Sequence, residues 1–176
     1  ASQVTTIVMD KTGTLTEGKP AVTQVVPGAS WSEVELLRLA ASVERASEHP
    51  LAAAIVRGAE EKKLALADAR GFESRTGRGV VGEVGGRQVA IGNGKLLDEL
   101  GVSAGPLGEV ADRMRAEAQT VMFLAVDGKL AGLVGVADPI KSSTPEAVRR
   151  LREEGIRVVM LTGDNRTTAE AVAKRL

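Results

Sequence analysis

Two short strings put groups capable of phosphoryl chemistry at the ends of apolar runs. Asp10-Lys11-Thr12-Gly13-Thr14-Leu15-Thr16 follows residues 4–9, Val-Thr-Thr-Ile-Val-Met, a β-branched stretch that predicts a short buried strand. That strand delivers Asp10 to its carboxyl end, where open parallel sheets bind ligands. A carboxylate there can act as a nucleophile and form an aspartyl phosphate, which splits one hard transfer into two easier steps. Gly13 lets the backbone turn close to a phosphate, and the hydroxyls of Thr12 and Thr14 can donate to its oxygens. Thr162-Gly163-Asp164 follows a second apolar run, residues 156–161. Its hydroxyl and loop amides can hold and position a transferring phosphoryl group. Taken singly, the first string is a surface loop after a strand and the second an ordinary helix-capping turn.

Three further constellations suit a nucleotide. Ser47-Glu48-His49-Pro50 contains the single His of the chain. A neutral imidazole can stack on or hydrogen-bond an adenine, and Glu44, at the end of the preceding predicted helix, is close enough in sequence to reach the same pocket. The plainer alternative for His49 is a surface or packing residue. Gly77-Arg78-Gly79-Val80-Val81-Gly82 has dinucleotide-fold spacing but fails the context test: a Val-rich hairpin follows it, not a helix. It reads instead as a strand entry loosened by glycines, or as a place where backbone approaches a ligand closely. Gly92-Asn93, after the hairpin, reads by itself as a helix cap. One decoy falls away. Residues 13–19 have P-loop spacing, but Pro20 stands where the Mg²⁺-binding hydroxyl belongs.

The elements that must position these groups fall into two styles. Residues 4–9 and 156–161 predict parallel strands, the latter preceded by a helix that Ser143-Thr144-Pro145-Glu146 opens and Gly155 ends. Between them, residues 22–26 predict a strand. Ser32-Glu33-Val34-Glu35 is a capping box, with Trp31 and Leu36 as its hydrophobic staple, and opens a helix to about Glu44. A second helix is expected over residues 51–66. Beyond Gly71 the period is two: residues 80–84 and 87–91 flank Gly85-Gly86, and residues 121–126 and 129–137 flank Asp127-Gly128, both hairpin signals. Short helices are expected over residues 95–100 and 107–118. The fold class is therefore α/β. Residues 1–17 and 138–176 form one unit, interrupted by residues 18–137, a unit of antiparallel strands and helices.

The bulk properties exclude several classes. The 23 basic and 23 acidic residues balance, which leaves no electrostatic case for a nucleic-acid partner. Cys and Tyr are absent and there are only two Phe and one Trp. Thiolate metal sites, disulfides and aromatic stacking platforms are thereby removed. No stretch of about 18 apolar residues spans a bilayer, and no signal peptide is expected.

Residues 10–16 resemble the phosphorylation signature of the P-type ATPases, ion pumps whose catalytic domain is related to the haloacid dehalogenase hydrolases. Thr162-Gly163-Asp164 resembles their Thr-Gly-Asp motif, and Asp138-Pro139-Ile140-Lys141 a further element of the same domain. Ser-Glu-His-Pro preceded by a Glu resembles the heavy-metal-transporting (type IB) branch, most like copper pumps, as do the glycine motif and Gly92-Asn93. The resemblance implies a nucleotide-binding domain over residues 18–137, inserted into a truncated haloacid-dehalogenase-like, Rossmannoid phosphorylation domain (1–17 and 138–176). It implies ATP and Mg²⁺ as cofactors. Asp10, Lys11, Thr12, Thr162, Gly163 and Asp164 would be catalytic, and Glu44, His49, Gly77, Gly79, Gly92 and Asn93 would bind nucleotide. Asp10 and Thr12 would hold Mg²⁺, with further ligands in a Gly-Asp-Gly-x-x-Asn-Asp segment that this sequence lacks. It implies a place on the cytoplasmic face of a membrane. The partners would be the transmembrane and actuator domains of a pump and a transported ion, Cu⁺ by resemblance, bound elsewhere. Two other readings stand beside it. One is a module that binds nucleotide without chemistry. The other is a phosphatase of the haloacid dehalogenase type, against which Thr12 counts, because such enzymes usually place a second Asp there.

Overall fold

The computed structural model describes residues 3–176. Its strands divide between two sheets that share none. The first is small: β1 (Thr6–Asp10) pairs in parallel with β8 (Arg157–Leu161), with Thr6 opposite Arg157 and Asp10 opposite Leu161. The strand expected at residues 4–9 thus begins two residues later and ends one later, at Asp10, and it is not buried: Val8 is exposed. Helix α5 (Thr144–Glu153) packs on β8, and Gly155, in the left-handed region at φ 76°, turns the chain from α5 into β8. The Ser143 side chain makes no capping bond here. Thr144 instead donates to the Leu15 carbonyl at 2.9 Å, which ties α5 to the loop after β1.

The second sheet has six strands in the order β2-β7-β6-β5-β4-β3, all antiparallel. They are β2 (Ala21–Pro27), β3 (Arg70–Arg75), β4 (Gly79–Val84), β5 (Arg87–Gly92), β6 (Thr120–Val126) and β7 (Lys129–Ala137). Both hairpin signals are realised. Gly85 and Gly86 take φ 57° and 79°, and Asp127 and Gly128 take φ 50° and 78°, the double left-handed geometry that matches strand twist. β3 pairs with β4 through a bulge.

Strand alternation gives this sheet two cores. Helices α1 (Glu33–Glu44) and α2 (Pro50–Glu61) cover one face with Leu36, Leu39, Val43 and Ile55, packed against Val80, Val89, Ile91 and Leu124. Helices α3 (Gly94–Leu100) and α4 (Leu107–Ala116) cover the other with Leu96, Leu97 and Met114, against Ala90, Phe123 and Leu133. Each fully buried Leu or Ile contributes about 1.5–3 kcal/mol. Ser32 Oγ accepts from the Glu35 amide at 3.2 Å, and Trp31 and Leu36 share the first core, so cap and staple both form. Helix α2 stops at Glu61 rather than at residue 66 because Lys63 adopts φ 56°. Helix α4 likewise ends before residue 118, with Ala118 at φ 65°. Helix α6 (Arg166–Lys174) packs on α4 and so joins the region of the small sheet to the large one.

Candidate functional site

The parallel pairing of β1 with β8 puts the two chemistry-bearing strings at one edge. Asp10 lies opposite Leu161, and Thr162-Gly163-Asp164 leaves from the same end. Asp10 is exposed at that edge. The chain then makes a single wide turn over residues 11–15, closed by the Thr16 amide donating to the Lys11 carbonyl at 3.0 Å, with Gly13 at φ 79°. No heavy atom lies within 4 Å of where a Gly13 side chain would begin. Glycine is needed there for its backbone angle, not for space.

Lys11 is ion-paired with Asp164, and the two side chains are 11% and 12% exposed. Asp164 also accepts from Thr120 Oγ1 at 3.1 Å, while its amide donates to Thr162 Oγ1 at 3.1 Å. Asp164 is thereby held on three sides, and Asp10, Thr12 and Gly163 are exposed. Lys141 Nζ donates to the Gly13 carbonyl at 3.1 Å.

Thr16, only 1% exposed, carries more of the loop's geometry than its place at the end of the motif suggested. Its hydroxyl lies 2.5 Å from Asp138 Oδ2 and 3.1 Å from the Lys11 carbonyl, and it accepts from the Gly13 amide at 3.2 Å. Asp138 also accepts from the Lys19 amide at 2.9 Å, and Thr16 bridges to Ile140. The chain thus leaves the small-sheet region and returns to it at one clasp. Thr120 and Thr16 were missed as site residues because isolated threonines carry no spacing signal. Only the pairing across 44 and 122 residues reveals them.

The nucleotide candidates group separately. Gly79 pairs with Gly92 across β4 and β5. A Cβ on Gly79 would lie 2.2 Å from the Ile91 carbonyl oxygen, and one on Gly92 would lie 2.1 Å from that of Arg78. These two glycines have a structural reason to be glycine whatever they bind. Gly77, at φ 70°, has nothing within 4 Å of its Cβ position. Asn93 fastens the turn: its side-chain amide donates to the Gly77 carbonyl at 2.8 Å, its backbone amide donates to that of Arg78 at 2.9 Å, and its Oδ1 caps α3.

His49 is exposed and caps α2, with Nδ1 accepting from the Leu51 amide at 3.1 Å. That bond assigns the proton of a neutral ring to Nε2 and leaves that nitrogen as a donor. Glu44 ends α1, the helix that packs on β4 and β5. It is 3% exposed, and burial pushes its carboxyl up to about 7. Among the principal packing contacts of the described residues, none joins β3 or β4 to β1 or β8, so the two groups occupy different parts of the molecule. Pro20 leads directly into strand β2, which removes the P-loop reading.

A family model for haloacid dehalogenase-like hydrolases matches residues 4–176. The chain belongs to this family. Within it, the chain is 54% identical over 174 residues to a copper-exporting P-type ATPase of Legionella pneumophila, covering 99% of this chain and 24% of that protein. It is 47% identical over 174 residues to a silver-exporting P-type ATPase of Salmonella typhimurium, covering 99% and 21%. Among solved structures it resembles a zinc-transporting PIB-type ATPase in its E2.Pi state, with a TM-score of 0.73, 36% identity and coverage of 98% of this chain and 28% of the other. The chain therefore spans about a quarter of the length of these relatives. Among the described residues, no helix is long and apolar enough to cross a membrane.

Proposed function

We propose that this hydrolase chain is the ATP-handling part of a heavy-metal P-type ATPase on the cytoplasmic face of a membrane, with Asp10 as the phosphorylated residue. The observation that carries the reading is the meeting of Asp10 with the Lys11–Asp164 pair at one carboxyl sheet edge. In the reaction, a carboxylate oxygen of Asp10 attacks the γ-phosphorus of ATP in line. A new O–P bond forms, the bond to the β,γ-bridging oxygen breaks, and ADP leaves with the electron pair. Lys11 and the Thr162–Asp164 loop position the transferring group. Later hydrolysis of the aspartyl phosphate resets the site. Residues 18–137 act as the inserted nucleotide-binding unit between 1–17 and 138–176. That boundary is supported by two sheets with no common strand and by the clasp of Thr16 with Asp138. Glu44, His49, Gly77, Gly79, Gly92 and Asn93 receive the nucleotide, and a hinge closure carries its phosphates to Asp10.

Mg²⁺ fits this donor set in one way only. Among the described residues, no three His, Cys, Asp or Glu side chains form a cluster that could hold a metal. A resident cation is therefore not supported, whereas one that arrives with phosphate oxygens needs only one or two protein carboxylates. Asp10 and Thr12 would contribute to holding it, and bound there it would offset phosphate charge. The transported ion, copper by resemblance, and the transmembrane and actuator partners belong to this reading of the parent protein.

The test is acid-stable labelling with γ-³²P-ATP. Label on the parent chain that Asp10→Asn abolishes supports the reading. The second reading, nucleotide binding without chemistry, is favoured by the sheet beside Asp10, which among the described residues has two strands. No label, with retained affinity for a non-hydrolysable ATP analogue, would decide for it.

A further inference from the structure

The turn between β3 and β4 is gripped from its far side by a residue that none of the recognition motifs includes. Glu99, on α3, is ion-paired with Arg75 at the end of β3 and lies 3.0 Å from Arg78 Nη1 in the turn itself. The two arginines sit three residues apart, and the Arg78 amide donates to the Arg75 carbonyl at 2.9 Å. Their guanidiniums are thus held at one place, where they would repel without an anion between them. Arg75 Nε also lies 3.3 Å from Glu73 Oε1, out of hydrogen-bonding alignment. Asn93 holds the same turn from the other side, through the Gly77 and Arg78 carbonyls. Helix α3 therefore fastens the glycine turn twice, by its cap residue and by Glu99. Arg78, Lys95, Asp98 and Glu99 line an open cavity of about 400 Å³ beside it.

We propose that Glu99 is a positioning residue for nucleotide: by bridging Arg75 and Arg78 it holds the Gly77–Arg78–Gly79 turn in the shape that receives a nucleoside triphosphate. This rests on the nucleotide-binding reading of that turn. A turn containing the left-handed Gly77 (φ 70°) has more backbone freedom than one without glycine, and ordering it at the moment of binding would reduce affinity. The bridge removes that cost in advance. Hydrogen bonding from Arg78, then from Arg75, holds the Glu99 carboxyl below the usual range.

Two measurements on Glu99→Gln and on Asp98→Asn test it. Asp98 is the neighbouring acid on the same cavity wall, and it forms no ion pair among the described residues. Hydrogen exchange at the Arg78 and Asn93 amides reads the grip without any ligand. Calorimetric titration with a non-hydrolysable ATP analogue reads its consequence. Expected for Glu99→Gln are exchange at least about fivefold faster at both amides and affinity about three- to tenfold weaker. Asp98→Asn should alter neither. Equal effects of the two substitutions would reduce the role to net charge and overturn the inference. So would unchanged exchange, or tighter binding by Glu99→Gln, which would make Glu99 a competitor of the phosphates for Arg78. A parent chain that binds no analogue would overturn the nucleotide reading together with this inference. A parent that binds it, with Glu99→Gln silent, would overturn the inference alone.

Discussion

Lys11 and Asp164, 153 residues apart in the chain, form an ion pair almost closed to solvent. The pair joins the loop after β1 to the loop after β8, and Thr120 adds a bond to the same carboxylate from the large sheet. Breaking such a pair from one side leaves a poorly solvated charge without its partner. Lys11→Met and Asp164→Asn should each lower stability by about 2 kcal/mol. The double variant should lose clearly less than the sum, because the second change removes the stranded charge. Urea unfolding of the four proteins measures this coupling. Additive losses would mean that the pair is not closed in solution.

Glu44 gives a pH signature. Its carboxyl is raised from 4.5 to about 7 by burial, so the folded state holds a proton that the unfolded chain releases earlier. The contribution of Glu44 is most favourable below about pH 4.5 and is lost as pH rises through about 7. The loss is at most about 3–4 kcal/mol. Glu44→Gln should match the parent near pH 5 and exceed its stability near pH 8, while binding an ATP analogue more weakly. A parallel pair of stability curves from pH 5 to 8 would show that Glu44 is solvated when ionised.

His49 serves α2 through Nδ1, and the proposed adenine contact uses the rest of the ring. Asn is a good N-cap and Ala is not. His49→Ala should therefore cost about 1 kcal/mol of stability and weaken analogue binding tenfold or more, about 1.4 kcal/mol. His49→Asn should restore the stability but not the affinity. Recovery of both in His49→Asn would assign His49 to capping alone.

The glycines separate in the same manner. Gly79→Ala and Gly92→Ala bring a methyl group within 2.2 and 2.1 Å of carbonyl oxygens. Each should disrupt the β4–β5 pairing and cost more than about 3 kcal/mol. Gly77→Ala meets open space and should cost only about 1–2 kcal/mol of left-handed strain. If the nucleotide approaches this backbone closely, Gly77→Ala loses affinity out of proportion to that small loss of stability. Thermal melts and titrations of the three variants give both quantities.

Much of the frame was legible locally. The two hairpins were readable because Gly-Gly and Asp-Gly are the residues that tolerate consecutive positive φ, and α1 because its cap, staple and apolar face agree. The ends of α2 and α4 were not, because Lys63 and Ala118 enter the left-handed region without being glycine. The start of α5 at residues 143–146 was legible, but not the tertiary bond from Thr144 to the Leu15 carbonyl that places the helix. Strand β3 was seen only as a change of period, since its burial pattern is mostly exposed.

By itself the sequence determined which residues could do chemistry and that each string stands at the end of a strand, since side-chain type, turn chemistry and hydrophobic period are properties of a few neighbouring residues. The tertiary structure alone decided the partners. The register of β1 on β8 sets Asp10 beside the Thr162 loop. Packing across many residues of separation supplies Thr120 to Asp164, Thr16 to Asp138 and Glu99 to Arg75 and Arg78. Such pairings arise from how apolar faces stack and strands register, and no local spacing encodes them.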